Sequence, residues 1–151
     1  MKEITVKQIM TDKVISVGPK ALMTEVSALF DSNRIHHVPV IDNDGQALGM
    51  ISRLDYNKLQ DHFTLFLCEA ADERNRKFFS TLLASEVMTK NIATIDVNAP
   101  VKIAIETFLE NLFHALPVID EGKLVGIVTS HDVLKYLYGK EKTAALSQSS
   151  P

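Results

Sequence analysis

Cysteine is nearly absent: Cys68 is the one thiol among 151 residues. The chain can close no internal disulfide and build no cysteine-based metal cluster, and a reducing cytoplasm suits it best. Long apolar runs are missing too. Nothing approaches the ~18 consecutive apolar residues of a membrane helix, and the opening Met1-Lys-Glu-Ile-Thr-Val6 has no apolar stretch of the kind a secretory leader carries. Neither export nor membrane spanning is expected. Charge of one sign is not in excess: the net charge is -3 and the pI about 5.9. Lys and Arg are interspersed with Asp and Glu, which argues against a nucleic-acid surface. Common catalytic signatures are lacking as well. There is no Gly-x-x-x-x-Gly-Lys-Ser/Thr loop, no Gly-x-Gly-x-x-Gly after a strand, no His-Glu-x-x-His and no Gly-x-Ser-x-Gly, so an enzyme is not expected. With 46% hydrophobic and 23% charged residues the chain has an ordinary globular composition.

What is present is a repeat. Val6-Lys-Gln-Ile-Met10-Thr11 returns as Ala84-Ser-Glu-Val-Met88-Thr89, and His37-Val-Pro39-Val-Ile-Asp42 as Ala115-Leu-Pro117-Val-Ile-Asp120, each 78 residues later. Gly49-Met-Ile-Ser52-Arg-Leu-Asp55 returns as Gly126-Ile-Val-Thr129-Ser-His-Asp132 after 77. The residue lost lies between two apolar runs, where a hairpin tolerates a change of length. Two units of this size should share a core about a pseudo-two-fold axis, with a cleft lined twice by equivalent residues. The expected divisions are 6–66 for the first unit, 67–83 for a linking helix, 84–138 for the second unit, and 139–151 as a disordered tail with little to bury.

Within each unit the pattern reads helix, strand, helix, strand, hairpin, strand, helix. Val14-Ile-Ser-Val17 and Ile92-Ala-Thr-Ile95 are β-prone. Val101, Ala104, Ile105, Phe108, Leu109 and Leu112 share one helix face, as do Val26, Leu29 and Phe30. Val38–Ile41 and Leu116–Ile119 are continuously apolar strands, and Pro39 and Pro117, lacking a ladder donor, should sit at a strand start or an edge. The stretch from Tyr56 to Leu83 has neither Pro nor Gly; it reads as one helix running toward Phe66 and a second through Glu69–Lys77.

The chemistry rests on Ser52-x-x-Asp55 and Thr129-x-x-Asp132, each at a strand-to-helix junction. One reading is a capping box, hydroxyl and carboxylate satisfying the first-turn N–H groups. The other uses the same place as a ligand site: a helix N-terminus favours phosphate, and a carboxylate beside it accepts from the cis hydroxyls of a ribose. The two roles are compatible. His36 and His114 precede the proline strands at equivalent positions, with His37 adjacent. Each could be a strand-edge polar residue, a phosphate donor or a metal ligand. No carboxylate or Cys stands at ligand spacing, so no metal is expected. His131 lies inside the second motif and is better placed for phosphate. Met10 and Met88 read as core fillers.

This ordered pair of patterns, Met-Thr, strand, helix, His-x-x-Pro-Val-Ile-Asp, hairpin, Gly-x-x-Ser/Thr-x-x-Asp, helix, resembles a tandem of CBS domains, the cystathionine-β-synthase-type regulatory module. The resemblance covers about residues 6 to 138. It implies an α+β fold of two pseudo-symmetric βαββα-type units packed through their sheets, with two clefts. In similar modules these clefts bind adenosine-containing ligands such as AMP, ADP, ATP or S-adenosylmethionine. Carried over residue by residue, the primary cleft would join Thr129, His131 and Asp132 to Val14, Ile15, Ser16, His36, Val38 and Pro39. The second would join Ser52 and Asp55 to Ile92, Ala93, Thr94, His114, Leu116 and Pro117. Leu54 departs from the polar or basic residue common there in the family, so the Asp132 cleft should fill first. The resemblance thus implies a free-standing, non-catalytic cytoplasmic module in which an adenine nucleotide is the regulatory ligand and no other cofactor takes part. Partners would be the nucleotide, an unidentified protein target and a second copy, because the apolar helix faces cannot all be covered within one pair. The alternative is a ligand-free interaction or dimerisation module with vestigial clefts.

Overall fold

The computed structural model describes residues 4–64, 71–111 and 114–148. The chain folds into two compact units, and they are not the two sequence repeats: one is Ile15–Ile92, and the other takes the chain before Ile15 and after Ile92.

In the Ile15–Ile92 unit, helix α1 (Met23–Ser32) is followed by strands β1 (His37–Ile41) and β2 (Ala47–Ser52), helices α2 (Arg53–Thr64), α3 (Ala71–Phe79) and α4 (Ala84–Val87), and the short strand β3 (Thr89–Lys90). The sheet order is β1-β2-β3, antiparallel throughout. Val17 adds a parallel bridge to Val40. Met23, Val26 and Phe30, spaced by three and four along α1, lie on the face that turns inward, where they meet Val38, Val40, Ile51, Tyr56, Phe79 and Ala84.

The other unit opens with a 3₁₀ turn, Val6–Gln8, and continues with β4 (Ile95–Asp96), α5 (Val101–Asn111), β5 (Ala115–Asp120), β6 (Lys123–Thr129) and α6 (Ser130–Gln148). Its sheet runs β4-β5-β6, with β4 parallel to β5 and β5 antiparallel to β6. Val6 is fully buried here among Ile95, Val97, Ala104, Leu116, Val118 and Val128. Its N–H donates to the Ala99 carbonyl at 2.9 Å, and Val101 N–H donates to the Ile4 carbonyl at 2.9 Å.

Each repeat therefore lends its opening segment to the sheet of the other repeat's strands. Thr89 and Lys90 pair with Met50 and Gly49, and Thr11 bridges to Ile127. The repeated Met-Thr meets the repeated Gly at these seams. A Cβ on Gly49 would stand 2.6 Å from the Thr89 carbonyl oxygen and 2.7 Å from Met88 Sδ, and one on Gly126 would collide with Met10 Sδ. Met88 and Met10 pack against the two cores, as core fillers should.

The hairpins differ as the unequal spacing implied. Glu121 and Gly122 both have positive φ, 47° and 82°, the two-residue turn whose twist suits antiparallel strands. The first hairpin is longer, with Gly45 at φ 85° and Asp42 Oδ1 accepting from the N–H groups of Asp44 and Gln46.

Several expectations need correction. Pro117 lies inside β5, the central strand of its sheet, rather than at a strand start or an edge, whereas Pro39 lies inside β1 but on an edge strand, as expected. Val17 N–H donates to the Pro39 carbonyl at 3.0 Å, so that carbonyl points away from β2; the proline nitrogen shares its edge, and no ladder bond to β2 is lost. The β-prone runs are shorter than expected: Val14–Val17 contributes one bridge, and β4 begins only at Ile95. Leu109 is 76% exposed instead of sharing the buried face of Val101 and Ala104. Residues 139–148, expected to be disordered, continue α6. Gly139 costs a helix about 1 kcal/mol relative to Ala, and the Lys, Glu, Ala and Leu that follow are good helix formers. Leu112 and Phe66 lie outside the described residues. Among the described residues no helix is long and apolar enough to cross a membrane.

Candidate functional site

Both hydroxyl–carboxylate pairs form where the sequence placed them, at the end of a strand that turns directly into a helix. In the unit built on the second repeat, Thr129 Oγ1 donates to Asp132 Oδ2 at 2.6 Å and Thr129 N–H donates to the same oxygen at 2.9 Å. Asp132 N–H returns a bond to Thr129 Oγ1 at 3.2 Å. This is a complete reciprocal cap. It uses one carboxylate oxygen only; Oδ1 of Asp132, a half-buried residue, has no partner among the described residues.

The Ile15–Ile92 unit has the looser version. Ser52 Oγ donates to Asp55 Oδ2 at 2.6 Å and accepts from Asp55 N–H at 3.0 Å, without the return bond from the Ser52 N–H. In both units the first helical N–H is tied to the carbonyl of the histidine ahead of the neighbouring strand. Arg53 N–H donates to His36 O at 2.8 Å, and Ser130 N–H to His114 O at 3.2 Å. With the next cap bond on Asp55 or Asp132, each first turn retains one uncommitted N–H, on Leu54 and on His131, among the described residues. A helix start with a free N–H and an open carboxylate oxygen can take an anionic group and a hydroxyl side by side.

Within a unit, the residues that fold together belong to different expected clefts. His36, Val38 and Pro39 sit beside Ser52 and Asp55 through the β1–β2 pairing, and His114, Leu116 and Pro117 beside Thr129 and Asp132 through β5–β6. The side chains of Val38 and Leu116 are packed into the two cores, which leaves their backbone as the part that can face a ligand. Strand alternation explains this: Val38 and Val40 share the core face, leaving Pro39 on the other. Pro39 and Pro117 are themselves fully buried. Val14, Ile15, Ser16, Ile92 and Ala93 are half-buried, while Thr94, His36, His114 and His131 are exposed.

Arg53 is committed elsewhere. Its Nη2 donates to the Phe30 carbonyl at 2.6 Å and pairs with Asp31 at 3.1 Å, and its guanidinium stands 5.6 Å from the Phe30 ring centroid. It closes the C-terminal end of α1. Among the described residues no three His, Cys, Asp or Glu side chains are grouped to hold a metal ion.

Comparison with known proteins follows this geometry closely. A family model for the CBS domain matches residues 6–60 and again 84–139. A CBS domain-containing protein of Dictyostelium discoideum is 31% identical over 136 residues, covering 89% of this chain and 92% of that protein. In longer relatives the likeness is partial: inosine-5'-monophosphate dehydrogenase of Methanocaldococcus jannaschii is 26% identical over 129 residues, 85% of this chain but 22% of that protein. Among solved structures, CBSX2 in complex with AMP superposes with a TM-score of 0.74 at 24% identity, covering 91% of this chain and 98% of that one. The CBS domain pair of protein MJ0100, in complex with 5'-methylthioadenosine and S-adenosyl-L-methionine, gives 0.73 at 24% identity, with 92% and 99% covered. At these identities the structural likeness establishes the fold.

Proposed function

The chain belongs to the CBS-domain family, and from that premise we propose that it is a regulatory, non-catalytic module that senses an adenosine-containing ligand, AMP, ADP, ATP or S-adenosylmethionine, in the cytoplasm and passes the signal to another protein. The Thr129–Asp132 pair carries the reading: a carboxylate held by its cap through one oxygen, with the other open, beside a free N–H at a helix start. The ribose hydroxyls go to Asp132, and the α-phosphate to the His131 N–H and the Thr129 hydroxyl. Ser52 and Asp55 offer the same groups, with the Leu54 N–H, at the second junction. The crystallised complexes of AMP, S-adenosyl-L-methionine and 5'-methylthioadenosine with other CBS pairs support this ligand class.

Calorimetry with AMP, ATP and S-adenosylmethionine tests it. Asp132→Ala should remove charge-assisted hydrogen bonds worth about 1.5 to 3 kcal/mol and so weaken the preferred ligand roughly 10- to 150-fold. Its effect on stability should stay near the ~1 kcal/mol of a lost cap. Asp55→Ala should weaken a second, lower-affinity event. Unchanged heats in Asp132→Ala would refute the assignment. The complete capping geometry favours one other reading, an interaction module whose carboxylates serve only their helices; it predicts no saturable heat from any of these ligands.

The same reading includes a homodimer, with a corrected surface. Val26, Phe30 and Val101, expected on an interface, are buried in their own units because the periodic apolar stripe is the core face. On the unit built on the second repeat the exposed apolar residues are instead Ile103, Leu109, Leu134, Leu137 and Tyr138, on α5 and α6. A second copy covering them explains why large side chains stand there. Leu109→Lys with Leu134→Lys should halve the sedimentation mass at micromolar concentration without lowering the melting temperature of the monomer; a wild-type monomer would exclude this assembly.

A further inference from the structure

The linking helix α3 encloses something the repeat itself does not provide. A cavity of about 480 Å³ lies between α1, α2 and α3 of the Ile15–Ile92 unit, within the range of small-molecule sites. Helix α1 contributes Thr24, Ser27, Ala28 and Asp31, whose spacing of three and four puts them on the face away from Met23, Val26 and Phe30. Their small side chains leave the gap. Tyr56 and Gln60 of α2 form one wall, where Tyr56 Oη meets Ser27 Oγ at 2.7 Å and accepts from Gln60 Nε2 at 3.0 Å.

The wall on α3 is unusual. Asn75 lines the cavity and is only 7% exposed, yet its Oδ1 is buried with no hydrogen-bond partner. A buried, unpaired amide is costly and calls for an explanation. Beside it, Arg76 also lines the cavity and makes no ion pair among the described residues. Across from it on α1, Asp31 engages Arg53 through Oδ1, with the carboxylate 73% exposed and Oδ2 open. One wall thus carries a cation and an amide, the opposite wall an anion and a hydroxyl, with Phe79 and Ala28 as apolar floor. In the second repeat the counterparts of Ser27, Asp31, Tyr56 and Gln60 are Ile105, Leu109, Val133 and Leu137. At these four positions polar character belongs to the first repeat alone, although Thr24 and Ala28 answer to Lys102 and Glu106.

We propose that this cavity binds a free α-amino acid, its carboxylate on Arg76, its ammonium on Asn75 Oδ1, Asp31 and the Ser27–Tyr56 hydroxyl pair, and its side chain against Phe79. The site lies wholly within one unit and is separate from the nucleotide-binding junctions.

Thermal-shift measurement of the full chain against each of the twenty protein amino acids, followed by calorimetry, tests the proposal. At least one should bind saturably with a dissociation constant below about 1 mM, and Arg76→Gln, at an exposed position, should weaken it tenfold or more. Asn75→Leu should weaken it similarly while keeping or raising the melting temperature, because the unpaired amide is gone. Any AMP binding should be unchanged in both variants. A water-filled groove that binds none of the twenty at 10 mM would overturn the proposal, as would binding that survives Arg76→Gln and Asn75→Leu.

Discussion

Val6→Asp should cost about 4 kcal/mol or more and unfold the unit built on the second repeat, although residue 6 belongs to the first. The side chain is fully buried among Ile95, Ala104, Leu116 and Val128, none of which can pair a carboxylate. A single-residue loss of this size is reserved for changes such as an unpaired buried charge, and it is comparable to the whole stability of many domains. Lys7→Asp is the control, because Lys7 is exposed and surface changes of this kind stay within about 0.5 kcal/mol. Denaturant titration of the two variants compares them directly. Equal midpoints would mean that the opening segment does not complete the second repeat's core.

Gly49→Val is expected to cost about 3 kcal/mol, lowering the melting temperature by roughly 6 to 12 °C for a chain of this size. The obstacle on one side is a backbone carbonyl, Thr89 O at 2.6 Å from the new Cβ, which cannot rotate away as a side chain can. Met88 Sδ, at 2.7 Å, can. Adding Met88→Ala should therefore recover part of the loss and not all of it. Scanning calorimetry of the single and double variants would expose a wrong account as either no loss or full recovery.

The sequence carried the repeat, both caps and the two hairpins because each is written in local chemistry. Ser52-x-x-Asp55 and Thr129-x-x-Asp132 need only a helix start, and Glu121-Gly122 needs only a turn of positive φ. The segment exchange was not legible. Val6 and Ala84 open segments that share the closing Met-Thr, and the two similar sheets offer them similar berths; nothing local says which copy each will join. A continuous apolar strand likewise hides its parity, so nothing local shows that the side chains of Val38 and Leu116 face the core. The cavity beside Asn75 had no signal at all, since it depends on α3 docking against α1 and α2. Helix propensity extends α6 past Gly139 into a stretch that has little to bury.

The exchange of opening segments also sets an order of events during synthesis. The Ile15–Ile92 unit is one unbroken stretch of chain, so every strand and helix it needs has been made once residue 92 has emerged. Residues 4–14 are made before that unit but belong with chain that appears some eighty residues later, and closing a loop of that length makes their docking a late, non-local step. Until then Val6, Ile9 and Met10 are apolar groups without a sheet to cover them, and a partly made molecule is most vulnerable to association with its neighbours through them. A gene cut at the sequence boundary, after residue 83, would leave the first repeat without β3 and its own opening segment without a sheet to join.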